Sequence, residues 1–462
     1  MPLKDMSCQE GCLTLFGALN RFTVLREALA EPPFMCLGAM LSHLLHQDPL
    51  AAAKEYHALC AALLDGGYRR VSGDLFRDFL IWALTERENA FSAAAARGIW
   101  DEPLATAMRA DLKHMDVLFT LNSVIAKRWI GEKAREQRNA RRTPPKDNIS
   151  VLSAAVWGGT TNRPLPQAPP AAVAVPAAVP EPLNLPIDEN DFISWRYQTE
   201  EQKAPYAADP TLEELYLRLD TATDRGLLLD DLWNYAATCG CGIFTRYRLF
   251  LVEQGGALTG LNTQALPEED AFTFYQTQRE QAMHNAIRFM RNEKAQHLLL
   301  TGGAGAGKTT QIFSLARELP ELRLVYCPPG HMEGLMQALP ALLRQPLKFL
   351  LFLDEFDAQD PAWPRLRAQL SIALLTQNNL LVCAAARKAE DHFFPLRINL
   401  PPPQLKEFIE LVQFTLLRDG KDVDVDSIQN ACIDYAAAAG VTGGSPLSFR
   451  SAAAIAQELF EQ

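Results

Sequence analysis

Hydrophobic positions follow one rhythm in the first part of the chain and another in the last. Over about the first 135 residues, apolar side chains recur at helical spacing. Leu75, Phe79, Trp82 and Ala83 recur at that spacing, and the stretch 112–129 carries Leu112, Met115, Leu118, Phe119 and Val124 with polar residues between. Strand-like alternation is rare there, so the pattern predicts an all-helical region. A helix is predicted again over 212–232, and the alternating, aromatic-rich stretch 242–253 reads as a strand in a hairpin closed near Gly255 and Gly256. A helix over 275–293 follows. Beyond it the rhythm becomes strand then helix: apolar runs at 296–301, 322–327, 349–353 and 380–384, with helices opening near Lys308 and over 335–344. Phe349 to Leu353 is continuously apolar, as a strand covered on both faces should be. This alternation predicts a parallel sheet with right-handed crossovers and a ligand at the carboxyl edge of its strands. After Pro403 the pattern is helical over 404–418, 427–439 and 449–460.

Composition sets the boundaries. At roughly 150 residues per domain, 462 residues suggest about three domains, or two with linkers. Residues 143–190 are rich in Pro and Ala, and Pro both fixes φ and removes a backbone donor, so this piece is expected to be an extended linker or insertion. The expected organisation is a helical N-terminal domain over 1–142, the linker over 143–190, helices and a strand pair over 191–265, an α/β core over 266–400 and a helical lid over 401–462.

A hydrophobic fraction of 48% excludes wholesale disorder. The net charge of −11 does not suggest a nucleic-acid binder. The run Lys127, Arg128, Lys133, Arg135, Arg138, Arg141 and Arg142 is a local exception, read either as a contact for an acidic partner or as a solvated helix end. The nine scattered cysteines argue against a disulfide framework, and neither Cys8 with Cys12 nor Cys239 with Cys241 has the second knuckle of a zinc site. The N-terminus lacks the apolar core of a signal peptide, and no apolar run reaches the ~18 residues of a spanning helix. A cytoplasmic protein without membrane association is expected.

The chemistry concentrates after the 296–301 strand. Gly302, Gly303, Ala304, Gly305, Ala306, Gly307, Lys308 and Thr309 match GxxxxGK[ST] between a strand and a helix, with Thr310 in the first helical turn. Glycines let backbone N–H groups turn inward against an anion, and the helix start adds its positive dipole end. Lys308 is expected on the β- and γ-phosphates, and the Thr309 hydroxyl is a hard ligand suited to Mg²⁺. The 349–353 strand ends in Asp354 and Glu355. Asp354 is expected to hold Mg²⁺ and Glu355 to polarise an attacking water. ATP and Mg²⁺ are therefore the expected ligands.

A phosphate-loop sheet with an acidic pair and a small helical lid resembles the AAA+ ATPases. The run DAFTFYQTQREQAMHNAIRFM before QHLLLTGGAGAGKTT is similar, more closely, to an uncharacterised bacterial group within them, the domain-of-unknown-function family numbered 815. TERENAFSAAAARG and ADLKHMDVLF look like that family's N-terminal region. The resemblance implies an α/β P-loop core with an AAA+-like parallel sheet and C-terminal helical lid, beside a separate all-α N-terminal domain. It also implies ATP binding and self-association, and it places Arg450, near the start of the last helix, on the γ-phosphate. Phe272 to Tyr275 would run past the adenine.

Two positions depart from the pattern. AAA+ proteins carry a polar residue at the end of the strand after the acidic pair, and here that position is Ala386 or a neighbour, none of Ala384 to Ala386 having a polar side chain. Similar proteins then carry D-R-F, whose Arg reaches a neighbouring subunit's γ-phosphate, and here His392 stands in its place. Arg387, Lys388 and Arg397 are the nearby cations.

Three functional readings follow. The first is a homo-oligomeric AAA+ ATPase coupling nucleotide state to action on a macromolecule, with an unknown protein partner on the N-terminal domain. The second is a nucleotide-gated scaffold that hydrolyses ATP slowly or not at all. The third is a DNA-acting loader or helicase, supported only by the basic run. A small-molecule kinase shares the loop but normally lacks an acidic pair followed by a lid of this length.

Overall fold

A computed structural model describes residues 3–142, 192–197, 210–262, 275–388, 391–418, 420, 424–442 and 447–461. The Pro/Ala-rich segment 143–190 and Phe272 to Phe274 lie outside the described residues. The chain divides into two compact units. The first comprises Met1–Ile81, Ala110–Lys203 and Asp220–Asp224; the second comprises Trp82–Arg109, Ala204–Leu219 and Arg225–Gln462.

The N-terminal helices are α1 (Cys8–Asn20), α2 (Pro32–Leu45), α3 (Pro49–Asp65), α4 (Leu75–Thr85), α5 (Ala90–Ala96), α6 (Glu102–Leu118) and α7 (Ser123–Arg142). Local signals start them. Ser7 and Glu10 form a reciprocal capping box on α1. Asp48 caps α3, with Pro49 in its first turn. In the first unit, α2 packs on α3 and α1 on α2. Asp111, fully buried, accepts the amides of Thr23, Val24 and Leu25 at 2.8–3.1 Å and so fixes the turn after α1. Trp129 is also fully buried, against Gly11: a Cβ there would meet its ring at 2.2 Å.

Beyond the Pro/Ala-rich segment, residues 192–197 dock on this same unit. The Trp195 ring stacks on Tyr56 at 5.6 Å, Lys127 Nζ donates to the Phe192 carbonyl, and Leu75 N donates to Trp195 O at 2.9 Å. Both flanks of 143–191 are thus held within one unit. The basic run on α7 is largely engaged there: besides Lys127, Arg128 donates to the carbonyls of Lys4 and Met6, and Lys133 pairs with Glu136 at 2.7 Å.

The second unit adds α8 (Pro210–Thr221, all but its last two residues), α9 (Leu229–Cys239) and a sheet among the described residues. Its strands are β1 (Leu249–Val252), β2 (Leu258–Leu261), β3 (Leu298–Gly302), β4 (Leu322–Cys327), β5 (Lys348–Leu353), β6 (Leu380–Ala386) and β7 (Leu396–Leu400). The order is β2-β1-β4-β5-β6-β3-β7, with β1 and β2 antiparallel and every other neighbour pair parallel. Helices α10 (Gln276–Met290), α11 (Lys308–Glu318), α12 (Met332–Leu343) and α13 (Trp363–Thr376) cover it. Alternate residues of the strands belong to two cores. Phe349, Leu351 and Leu353 pack with Leu335 and Leu366, whereas Leu350 and Phe352 pack with Ile312 and Leu315. Burial on both faces explains why β5 and β6 read as unbroken apolar runs. The C-terminal helices α14 (Leu405–Arg418), α15 (Val425–Thr442) and α16 (Phe449–Glu461) share a core of Phe408, Val412, Cys432 and Ala452.

The strand predicted over 242–253 is shorter. Residues Gly242–Thr245 form a 3-10 turn and the strand begins at Leu249. Gly242 lies at φ +65°, and the Cys241 amide is held by Gln345 Oε1 at 3.0 Å, so the chain turns before it extends. The hairpin closes at Gly255 and Gly256 as expected, with Glu253 N donating to Ala257 O at 2.9 Å. The pair is not a separate appendage: β1 joins β4 in the main sheet.

Candidate functional site

The strand order brings the motif residues together. β6 lies between β3 and β5, so the loop after β3 and the acidic pair after β5 open at one sheet edge, a single strand apart. Gly305 and Gly307 take φ of +74° and +82°, a region that favours glycine. α11 starts directly at Lys308 and makes its first backbone bond from Gln311 N to Gly307 O at 2.9 Å. The amides of Lys308, Thr309 and Thr310 thus lack a helical acceptor, as the first amides of a helix do.

A cavity of about 780 Å³ is lined by Ala304 to Thr310, Asp354 to Asp357, Ala385 to Lys388, Phe449 and Arg450. Gly302 and Gly303 stand behind it, their carbonyls accepting Lys308 Nζ at 2.9 and 2.8 Å. Burial draws the Lys308 ammonium below the usual lysine range; Asp354 opposes that shift and Arg387 adds to it. The Thr309 hydroxyl donates to Asp354 at 3.1 Å to Oδ2, and the Tyr326 hydroxyl donates to the same oxygen at 3.2 Å. Burial, with the Asp354 charge, pushes the Tyr326 phenol up to about 12. Two hard oxygen groups, the Thr309 hydroxyl and the Asp354 carboxylate, therefore converge on the cavity and fit Mg²⁺.

Glu355 is exposed and sits at φ +46°, unusual for a residue with a side chain. The turn is clamped on both sides, Asp354 N donating to Cys327 O at 3.1 Å and Phe356 N to Ala385 O at 2.7 Å. Backbone outliers of this kind cluster at functional sites, at a cost of order 1–3 kcal/mol.

Arg450 is the second residue of α16 and lines the cavity, and Phe449 N donates to Gly305 O at 3.1 Å. Tyr275 is the described member of the stretch expected past the adenine, and its ring lies 5.7 Å from that of Phe449. His392 is exposed in a turn and Arg397 is exposed on the edge strand β7; neither lines the cavity. Asp391 beside His392 is buried, accepting Trp363 Nε1 at 2.7 Å and pairing with Arg367 at 3.5 Å, so this part of the motif anchors α13. Sequence reasoning missed Tyr326. Its only signal was a phenol near the end of a strand that turned out to neighbour β5.

Residues 245–390 match the family described as "Protein of unknown function (DUF815)". This is the family that the sequence resembles. The core has the AAA+-like P-loop fold implied by that resemblance: a parallel sheet, the loop after β3, the acidic pair after β5 and C-terminal helices. Among solved structures, similarity is found to the RuvB Holliday junction branch migration motor of Thermotoga maritima at 15% identity and a TM-score of 0.28, covering 40% of this chain and 68% of that one. The FIGL-1 AAA domain in complex with ADP is 18% identical with a TM-score of 0.29, covering 36% and 65%. PCH-2 of C. elegans is 11% identical with a TM-score of 0.33, covering 44% and 72%. No curated protein matches the chain. No helix among the described residues is long and apolar enough to cross a membrane.

Proposed function

We propose that the second unit binds ATP with Mg²⁺ and hydrolyses it, passing nucleotide state to the C-terminal helices. The observation that carries this reading is the convergence of Lys308, Thr309, Asp354, Glu355 and Arg450 on one cavity at the carboxyl edge of the sheet. The loop amides and Lys308 bind the phosphates. An anion there would offset the repulsion that Lys308 feels from Arg387 and Arg450. Thr309 and Asp354 would hold Mg²⁺, which when bound would neutralise phosphate charge.

Glu355 accepts a proton from the attacking water. The water oxygen bonds to the γ-phosphorus, and the bond to the bridging oxygen breaks with its electrons leaving on ADP. Phe449 and Arg450 begin α16 and touch the loop directly, so a change at the γ-phosphate reaches the C-terminal helices without an intermediary.

We read the protein as acting in an oligomer on a macromolecular partner, by family resemblance. The substrate is not specified by the fold. A second reading, slow turnover by a nucleotide-gated scaffold, is favoured by one observation: Ala385 and Ala386 line the cavity where AAA+ proteins place a polar residue. The DNA-acting reading loses much of its motive, because Lys127, Arg128 and Lys133 on α7 are engaged within their own unit.

The deciding experiment measures ATP and ADP binding and ATP turnover with and without Mg²⁺, with Lys308→Ala as control. Binding that vanishes in the variant supports the site. Binding that persists in it overturns the assignment. Turnover of about 1 s⁻¹ or more excludes the scaffold reading.

A further inference from the structure

Ala386 leaves the end of β6 without a polar side chain, yet the next residue is a cation that faces the same cavity. Arg387 makes no hydrogen bond or ion pair with any described residue. Lys308, by contrast, is held by two carbonyls. An unpaired guanidinium beside a phosphate loop is a charge lacking its counter-charge.

Its position is specified by the sheet. The parallel register sets Thr301 of β3 beside Ala386, and Leu353 of β5 beside Ala384. Arg387 therefore leaves the sheet between the strand that carries the loop and the strand that leads to Glu355. The bond from Phe356 N to Ala385 O at 2.7 Å ties the end of β6 to the turn that holds Glu355. In a nucleotide seated on the loop, the group lying between the loop and a water-activating carboxylate is the terminal phosphate. The alanine methyls at 385 and 386 place no long side chain between Arg387 and that group.

We infer that Arg387 binds the terminal phosphate of a nucleoside triphosphate in its own subunit, distinguishing triphosphate from diphosphate. It also supplies the fixed charge that Ala386 cannot. This rests on the nucleotide-binding reading above. A guanidinium forks onto two phosphate oxygens, and it stays charged at any working pH. It would oppose the charge that spreads over the equatorial oxygens as the phosphoryl group departs. Arg387 is then a catalytic residue acting in cis, a role distinct from that of a neighbour's arginine.

The test uses the full chain and fluorescent ATP and ADP analogues with Mg²⁺, comparing wild type, Arg387→Ala, Arg387→Lys and Lys308→Ala. Arg387→Ala should weaken ATP binding about tenfold or more while leaving ADP binding unchanged, and it should cut any turnover about 100-fold or more. Arg387→Lys should restore part of the ATP preference without restoring turnover, since an ammonium keeps the charge and loses the fork. The ADP affinity reports that each Arg387 variant has folded. If Arg387→Ala keeps the wild-type ratio of ATP to ADP affinity while Lys308→Ala abolishes both, the inference is overturned and the nucleotide site stands. If Lys308→Ala binds both nucleotides normally, the site reading falls and this inference with it.

Discussion

The amide of Phe449 donates to the carbonyl of Gly305 at 3.1 Å, bonding the first residue of the last helix to the phosphate loop. The approach is close enough that a Cβ on Gly305 would lie 2.9 Å from Arg450 Cβ and 3.1 Å from Ser448 Oγ. Gly305 also takes φ +74°. Gly305→Ala should therefore force the last helix away from the loop, on top of a backbone cost of roughly 1–2 kcal/mol. The expected result is weaker ATP binding and a lower unfolding temperature. Wild-type nucleotide affinity in this variant would show that the contact between loop and helix does not matter for binding.

Tyr326 and Thr309 donate to the same oxygen of Asp354. When a cation takes up the Thr309 hydroxyl, Tyr326 remains to orient the carboxylate. Tyr326→Phe keeps the ring packing against Phe313 and Phe352 and removes only the hydroxyl. Partners of this kind are worth about 10- to 100-fold in metal affinity. The Mg²⁺ concentration needed for half-maximal tight ATP binding should rise by about tenfold. ADP binding without Mg²⁺ should not change, and a shift there instead would point to a general loss of structure.

His297 gives the core a pH dependence. Its ring stacks on Phe393 at 4.8 Å, and its Nδ1 accepts the Val382 amide at 3.2 Å, which favours the neutral imidazole. Burial draws its pKa down from 6.5 to about 4. The unfolded chain therefore binds a proton that the folded chain refuses. The stabilisation is fully present above the unfolded value near 6.5 and is lost as the pH falls through the folded value of about 4. The loss amounts to at most about 3 kcal/mol. Urea unfolding measured across that window should show the decline in wild type and a shallower one in His297→Asn. Parallel slopes would remove His297 as the cause.

Part of this molecule is written locally and part is not. The loop from Gly302 to Thr309 and the run ending in Asp354 and Glu355 are legible because their backbone demands and their burial on both faces leave direct marks on residue type. The edge strand β7 and helix α13 carry no comparable mark. β7 alternates over only five residues, and α13 leaves Ile372 and Leu375 exposed, blurring its apolar face. Tyr326 could not be placed because its role depends on β4 and β5 being neighbours, which is a property of strand order. Residues 82–109 pack with the second unit although they lie inside a continuous helical stretch, and helical periodicity says nothing about which core a face enters. Arg387 was visible as a nearby cation; only the register of β6 beside β3 showed which cavity it lines.

Under the proposed function, Glu355 separates binding from chemistry. Its φ of +46° is held between the Asp354–Cys327 and Phe356–Ala385 backbone bonds, so the turn does not depend on its side chain for its shape. Glu355→Gln keeps the size of the side chain and removes the carboxylate proposed to take the proton. General-base contributions are about 10²- to 10⁴-fold, so single-turnover hydrolysis should fall within that range. ATP affinity should be unchanged or tighter, since one negative charge facing the γ-phosphate has gone. If subunits assemble around bound ATP, the variant should stay assembled long after wild type has hydrolysed its nucleotide and dissociated, which light scattering after ATP addition would follow. Hydrolysis at the wild-type rate in Glu355→Gln would move the proton acceptor elsewhere on the cavity wall, with Asp357 the nearest remaining carboxylate after Asp354 along the chain.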